Sequence, residues 1–135
     1  MNLDSCTALI TGASSGIGRE FARQLAGRAS ATILVARRED RLKELRDELK
    51  SNVYVFAADL SQESEIARLV DWLEQEKIAV DFLINNAGFG DYGQFAESDT
   101  RAVREMLAVN IVALTNLTHR LLPAIRISWH KRSIR

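Results

Sequence analysis

Short runs of apolar residues alternate along this chain with stretches in which apolar residues recur every three or four positions. The short runs predict buried strands, and the recurrences predict amphipathic helices. Strands and helices that alternate in this way form βαβ units, whose parallel sheet is covered by helices on both faces. The sequence therefore predicts an α/β fold, with strands at residues 7–10, 31–36, 53–58 and 79–84.

A helix is expected after each predicted strand. The first helix has Ile17, Phe21 and Leu25 at helical intervals and ends at Gly27. The inward-facing residues expected in the later helices are, in chain order, Leu42, Leu45 and Leu49, then Ile66, Leu69, Val70 and Leu73, and finally Val103, Met106, Leu107, Ile111, Leu114, Leu117 and Leu121.

Residues that favour helix ends mark the expected boundaries. Ser61 is placed to cap the third helix, and Asp99 or Thr100 is placed to cap the fourth. Pro123 has no amide hydrogen to donate, so it is expected to end the fourth helix.

Right-handed crossovers predict a Rossmann-like, doubly wound parallel sheet in the strand order 3-2-1-4. The direction of winding reverses between the first and fourth strands, and ligands of such sheets bind in the crevice at this point. The segments that follow the predicted strands are residues 12–18, 36–38, 59–60 and 85–88. They all lie at carboxyl ends of strands, and we expect the ligand site there.

Three glycines after the first strand suit a phosphate-binding turn. Gly12 lets the chain leave the strand, Gly16 allows close approach of a ligand, and Gly18 lets the helix lie close to its strand. The amides of residues 14–18 would face an anion at the start of the helix. A plain tight turn without a ligand is the alternative interpretation.

The end of the second strand favours NADP over NAD. NAD-binding folds place an Asp or Glu there, to accept a hydrogen bond from the ribose 2′-hydroxyl. This chain has Arg37 and Arg38 instead, which suit a 2′-phosphate, with Arg37 as the main contact. The alternative is that both arginines belong to the solvated start of a charged helix.

Other polar residues near the strand ends have two interpretations each. Asp59 would accept a hydrogen bond from the exocyclic amine of adenine, or would only cap a helix or interact with its dipole. Asn86, Ala87 and Gly88 would line the middle of the cofactor or form an ordinary turn. Asn110, expected on the inward face of its helix, would bond to neighbouring backbone groups or position water or a catalytic side chain.

Composition limits the partners of the chain. Its 18 basic and 18 acidic residues balance, so neither nucleic acid nor a membrane is indicated. Cys6 is the only cysteine, which excludes an internal disulfide, and no metal site is predicted. A reducing, cytoplasmic setting is expected. Residues 1–126 are expected to form one domain, and residues 127–135 a basic tail.

These motifs together resemble the short-chain dehydrogenase/reductase family. The matching segments are residues 11–18, Asp59-Leu60, residues 85–88 and Val109-Asn110, which occur in the family's order and spacing within residues 5–126. The Arg37-Arg38 pair is similar to that of NADP-preferring members. Such members interconvert alcohols and ketones by moving a hydride to or from the nicotinamide.

The resemblance implies a role for each motif. It places Gly12, Ser14, Ser15, Gly16, Ile17 and Gly18 at the cofactor diphosphate, Arg37 and Arg38 at the 2′-phosphate, Asp59 and its neighbour Leu60 at the adenine end, and Asn86, Ala87 and Gly88 at the ribose. Asn110 corresponds to the family's active-site asparagine.

The family's proton donor has no counterpart in this sequence. It is a Tyr followed four residues later by a Lys, and neither Tyr54 nor Tyr92 is followed by a Lys at that spacing. We therefore expect a truncated chain that holds the cofactor-binding half of an oxidoreductase and has no turnover alone. The alternatives are a non-catalytic nucleotide-binding or interaction module and an unstable gene remnant. An uncovered fourth strand would favour homo-oligomers or pairing through that strand.

Overall fold

A computed structural model describes residues 3–133, with side chains for residues 3–125. Within this range one parallel sheet is formed, in the order β3-β2-β1-β4. Its strands are β1 (Thr7–Thr11), β2 (Ala31–Ala36), β3 (Val53–Ala57) and β4 (Phe82–Ile84). The predicted α/β class and strand order are confirmed. The side chains of the expected basic tail, residues 127–135, lie outside the described ones.

Helices follow the strands as predicted. They are α1 (Gly16–Leu25), α2 (Glu39–Leu49), α3 (Glu63–Gln75), α4 (Thr100–Leu107) and α5 (Leu114–Ser133), with a 3-10 turn at Phe95–Glu97 and a π-helical segment at Ala108–Ala113 between α4 and α5. Asp99 caps α4, because its carboxylate accepts the amide hydrogen of Arg101. None of the described helices has the length and apolar character that a membrane crossing requires.

Helices cover both faces of the sheet. Alternate residues of the strands point to opposite sides, so Leu9 and Ile33 pack in the same cluster as Leu69 of α3 and Leu117 of α5. Ile10 and Leu34 of the strands pack on the opposite side with Ala22, Leu42 and Leu45 of α1 and α2. All six residues of β2 are buried, which explains why its sequence is an almost continuous apolar run.

Strand β4 is shorter than predicted. It begins at Phe82, opposite Ala8 of β1, rather than at Ala79. At this end the carboxylate of Asp81 accepts the Thr7 amide hydrogen at 2.9 Å, while the Asp81 amide donates to the Thr7 carbonyl. Residues 79 and 80 therefore have no strand residue of β1 to pair with.

The inward-facing positions predicted in the middle of the last helix are wrong. Leu107, Ile111 and Leu114 are exposed, with Ile111 at 56%. The buried residues of this region are Ala113, Leu117 and Leu121. Ile111 lies in the π-helical segment, which takes extra residues into each turn, so the α-helical period does not hold there.

Pro123 does not end the last helix, contrary to the prediction. Helix α5 continues from Leu114 to Ser133 with Pro123 inside it. Pro123 and His119 are both exposed, and Pro123 has no amide hydrogen to donate to the His119 carbonyl one turn before it.

The pattern in α1 marked the buried face correctly only at Leu25. Ile17 is 71% exposed and Phe21 is exposed as well, whereas Gly18, Ala22 and Leu25 are buried. Small residues face the sheet because α1 packs closely against the turn that follows β1.

Candidate functional site

A cleft of about 380 Å³ opens beyond the carboxyl ends of the strands. It is lined by Gly12, Ser14, Ser15, Gly16, Ile17, Ala36, Arg37, Arg38, Ala58, Asp59, Leu60, Asn86, Ala87, Gly88, Phe89 and Val109. The structure thus brings together every residue predicted for the cofactor site except Gly18, which lies beneath the cleft against Asn86.

Two glycines of the turn leave no room for a side chain. Gly12 has φ +67°, and a Cβ there would lie 2.8 Å from Asn86 Nδ2. A Cβ on Gly18 would overlap the Asn86 amide and lie 2.5 Å from the Gly12 carbonyl oxygen. Gly16 differs because it has φ +56° and meets only open space. The predicted close packing of helix on strand is therefore present at Gly18.

The N-terminus of α1 has no side-chain cap. Ser15 is in the N-cap position, with φ −163° and ψ 168°, but its hydroxyl makes no bond to a helix amide. The amide hydrogens of Gly16, Ile17 and Gly18 find no acceptor in the described part of the chain. Free amides at the positive end of a helix dipole attract an anion. The turn is thus suited to a phosphate.

Arg38, and not Arg37, contacts the glycine turn. Its Nη2 donates to Ser14 Oγ at 3.3 Å and to Ser15 Oγ at 3.2 Å. Arg37 lines the same cleft and is exposed, with no hydrogen bond or ion pair to the described residues. The pair therefore presents one guanidinium held against the turn and one that is free to reach a ligand.

Asp59 organises the entry to α3. Its Oδ1 accepts the Ser61 amide hydrogen at 3.0 Å, and its carbonyl accepts that of Gln62. The prediction that Ser61 caps this helix is wrong, because α3 begins at Glu63 and Gln62 occupies the cap position. Asp59 also lines the cleft.

Arg68 stabilises the end of β3, next to Asp59. Its guanidinium bonds to the Ala57 carbonyl and to Glu65, and it lies 4.4 Å from the centre of the Phe56 ring. The hydrogen bond from Arg68 lowers the pKa of Glu65, which stays ionised. These contacts hold the end of β3, from which the chain enters the cleft.

Thr11, which sequence reasoning did not single out as a site residue, joins β1 to the segment after β4. Its buried hydroxyl oxygen accepts the amide hydrogens of Asn86 and Ala87, both at 2.9 Å, and donates to the Ile84 carbonyl. The Asn86 side chain returns across the gap to bond the Thr11 carbonyl at 3.0 Å. The only sequence signal was a polar residue ending an apolar strand.

Asn110 holds the next stretch of the cleft wall. Its Oδ1 accepts the Phe89 amide hydrogen at 3.0 Å, and its Nδ2 donates to the Phe89 carbonyl at 2.8 Å. The predicted inward position is wrong, since Asn110 is exposed within the π-helical segment. Of the two predicted roles, the structure shows bonding to backbone, although in a loop. Gly88 packs closely against this side chain, since a Cβ there would lie 3.0 Å from Asn110 Oδ1.

Glu48 connects the two helices that begin at the cleft. Its carboxylate bonds to Arg23 at 2.7 Å and to Arg19 at 2.8 Å, joining α2 to α1. The hydrogen bonds from Arg23 and then Arg19 lower the pKa of Glu48 to about 2.

A family model described as short chain dehydrogenase matches residues 6–133. The chain belongs to the short-chain dehydrogenase family. An 11-beta-hydroxysteroid dehydrogenase from Pinus massoniana is 38% identical over 130 residues, which cover 93% of this chain and 36% of that relative.

Solved structures of this dehydrogenase family share the fold. A metagenomic short-chain oxidoreductase in complex with NADP is 29% identical, with a TM-score of 0.88, and the match covers 95% of this chain and 60% of that one. A short-chain dehydrogenase from Sphingobium yanoikuyae in complex with NADPH is 37% identical, with a TM-score of 0.74, and the match covers 89% and 47%. The chain spans between 35% and 55% of the length of the first curated relatives it matches.

Proposed function

We propose that this chain binds NADP in the cleft as the cofactor-binding part of a short-chain oxidoreductase. The observation that carries the proposal is the uncapped start of α1, which faces the same cleft as Arg37 and Arg38. This arrangement offers one site for a diphosphate and another for a second phosphate group. The two solved relatives described with NADP and NADPH support the assignment.

The lining residues divide into groups along a bound dinucleotide. The diphosphate would lie over the turn formed by Gly12, Ser14, Ser15, Gly16, Ile17 and Gly18, the 2′-phosphate against Arg37 and Arg38, adenine near Asp59 and Leu60, and ribose near Asn86, Ala87 and Gly88. When bound, the nicotinamide would supply or accept a hydride. The chain's own residues would hold the cofactor, and the small ones among them would leave room for it.

Reduction of a carbonyl also needs a proton donor as the hydride arrives. Asn110 is the one family active-site residue that the resemblance assigns to this sequence, and its side chain is engaged with the Phe89 backbone. No Tyr in the sequence has a Lys four positions later. We therefore expect these 135 residues alone to bind cofactor without reducing a carbonyl.

Binding is tested by titrating the purified chain with NADPH and NADH, following nicotinamide fluorescence. Saturable binding that favours NADPH supports the proposal, and no binding of either cofactor contradicts it. Arg37→Asp should weaken NADPH by roughly ten- to a hundredfold, since a charge-assisted bond contributes about 1.5–3 kcal/mol. Arg41→Asp is the matched control, because Arg41 is exposed on α2, close to Arg37 in the sequence, but does not line the cleft.

Turnover separates an enzyme from a binding module. Oxidation of NADPH with a panel of ketones and aldehydes should give no signal above that of the buffer. Robust reduction of any carbonyl would show that this chain contains a proton donor. A chain that binds no dinucleotide and melts without cooperativity would instead be an unstable remnant.

Self-association through the β4 side is the second proposal. Within the described residues, β4 pairs only with β1, and Leu107, Ile111 and Leu114 are exposed. An open edge and an apolar helix face both favour association. Light scattering of the purified chain should show a dimer or larger species, whereas a monomer at all concentrations would contradict this.

The lone cysteine leads us to propose a cytoplasmic location.

A further inference from the structure

Ser15 occupies a position in which serine ordinarily caps a helix. Its backbone is extended, and the next residue begins α1. A serine hydroxyl at this position usually accepts a hydrogen bond from the amide two or three residues later. Those amides belong to Ile17 and Gly18, and the Ser15 hydroxyl bonds to neither. The Ser15 hydroxyl instead contacts another side chain.

The group that holds it is Arg38. One guanidinium nitrogen, Nη2, lies 3.2 Å from Ser15 Oγ and 3.3 Å from Ser14 Oγ. Arg38 immediately precedes α2 and reaches across from the end of β2 to the turn after β1. The charged Nη2 donor thus bridges the two hydroxyls and restricts the orientation of the Ser15 side chain.

We propose that Arg38 is a positioning residue for the cofactor diphosphate, in addition to any contact it makes with a 2′-phosphate. By engaging the Ser15 hydroxyl, Arg38 prevents Ser15 from capping α1. The amides of Ile17 and Gly18 then remain free for the diphosphate oxygens. This inference rests on the proposed function, since it concerns the same cleft and the same cofactor.

The alternative is that Arg38 acts only by its charge on the cofactor phosphates. The two possibilities differ in their dependence on Ser15. If Arg38 acts through Ser15, removing the Ser15 hydroxyl abolishes the effect of removing Arg38. If Arg38 acts through charge alone, its removal weakens binding equally whether or not the hydroxyl is present.

The experiment is a double-mutant cycle with Arg38→Ala and Ser15→Ala, read as the affinity for NADH. NADH is the probe because it carries the diphosphate but no 2′-phosphate, so loss of a direct 2′-phosphate contact does not register. We expect Arg38→Ala to weaken NADH binding about three- to tenfold, as expected for competition from one cap bond. In the Ser15→Ala background, the same change should alter NADH affinity less than about twofold.

Arg41→Ala provides the matched control, since Arg41 is exposed in the first turns of α2 and has no ion pair or hydrogen bond with the described residues. It removes the same charge without touching the turn and should leave NADH affinity unchanged. Circular dichroism verifies that each variant is folded. Arg38→Met, which keeps the aliphatic stem, replaces Arg38→Ala if the latter is unfolded.

Two results would overturn the inference while leaving the proposed function intact. One is unchanged NADH affinity in Arg38→Ala, and the other is an equal loss in both Ser15 backgrounds. If the unaltered chain binds neither NADPH nor NADH, the proposed function fails and this inference fails with it.

Discussion

The side-chain amide of Asn86 lies so close to the α-carbon of Gly18 that a methyl group there would overlap it. Asn86 comes from the segment after β4, whereas Gly18 is in the first turn of α1. The same amide donates hydrogen bonds to the carbonyls of Thr11 and Gly12. Asn86 thus fills the gap between the ends of β1 and β4 and supports the glycine turn from below.

Gly18→Ala should destabilise the protein by about 1–3 kcal/mol, because the added methyl group must displace Asn86 or the Gly12 carbonyl. Chemical denaturation measures the change. Gly90→Ala is the matched control, since a Cβ at Gly90 meets nothing within 4 Å. Equal stability of the two variants would show that the turn can relax.

Thr11→Val should lower the free energy of unfolding by about 1–3 kcal/mol. Valine has a similar shape but leaves the amides of Asn86 and Ala87 without their acceptor. Thr32→Val is the control, because the buried Thr32 hydroxyl has no partner among the described residues. We expect it to be neutral or stabilising. The prediction fails if both variants unfold at the same denaturant concentration.

Asn110→Ala should loosen the loop that follows the cleft wall without unfolding the domain. Loss of the paired bonds to Phe89 removes about 1 kcal/mol of local stabilisation, so amide hydrogen exchange near Phe89 should accelerate about fivefold. Asn116→Ala, on α5, touches Glu63 and Arg120 but not this loop and should leave its exchange unchanged. Unchanged exchange in Asn110→Ala would contradict the prediction.

Stability should depend on pH through Glu48. Its pKa is about 2 in the folded protein against an ordinary value of 4.5, because Arg23 and Arg19 favour the carboxylate. The stabilisation is therefore present above about pH 4.5 and is lost as the pH falls towards 2. Glu48→Gln should be less stable than the unaltered chain at pH 7, and this difference should shrink on acidification.

Thermal unfolding at a series of pH values measures the Glu48 effect. Glu44→Gln is the control, since Glu44 lies on the same helix with no ion pair among the described residues. High salt should reduce the effect of Glu48→Gln, because the ion pairs are exposed to solvent. A difference that persists unchanged at pH 2 would contradict the assignment.

The sequence by itself determined the order of strands and helices, the topology of the sheet and the place of the cleft. These follow from local periods and from the steric needs of particular residues. β2 is buried on both faces and therefore reads as an apolar run, and Gly12 is required where the chain turns with positive φ. The family resemblance added the chemistry expected at the strand ends.

Only the tertiary structure decided which polar groups meet. Arg38 donates a hydrogen bond to Ser15, and Thr11 accepts one from the Asn86 amide, because the fold brings together segments that are far apart in the chain. No local pattern encodes such pairs. Ile111 is likewise exposed within the π-helical segment, whose wider turns depart from the α-helical period that the pattern assumed. Periodicity is a local property, whereas burial depends on what packs against each face.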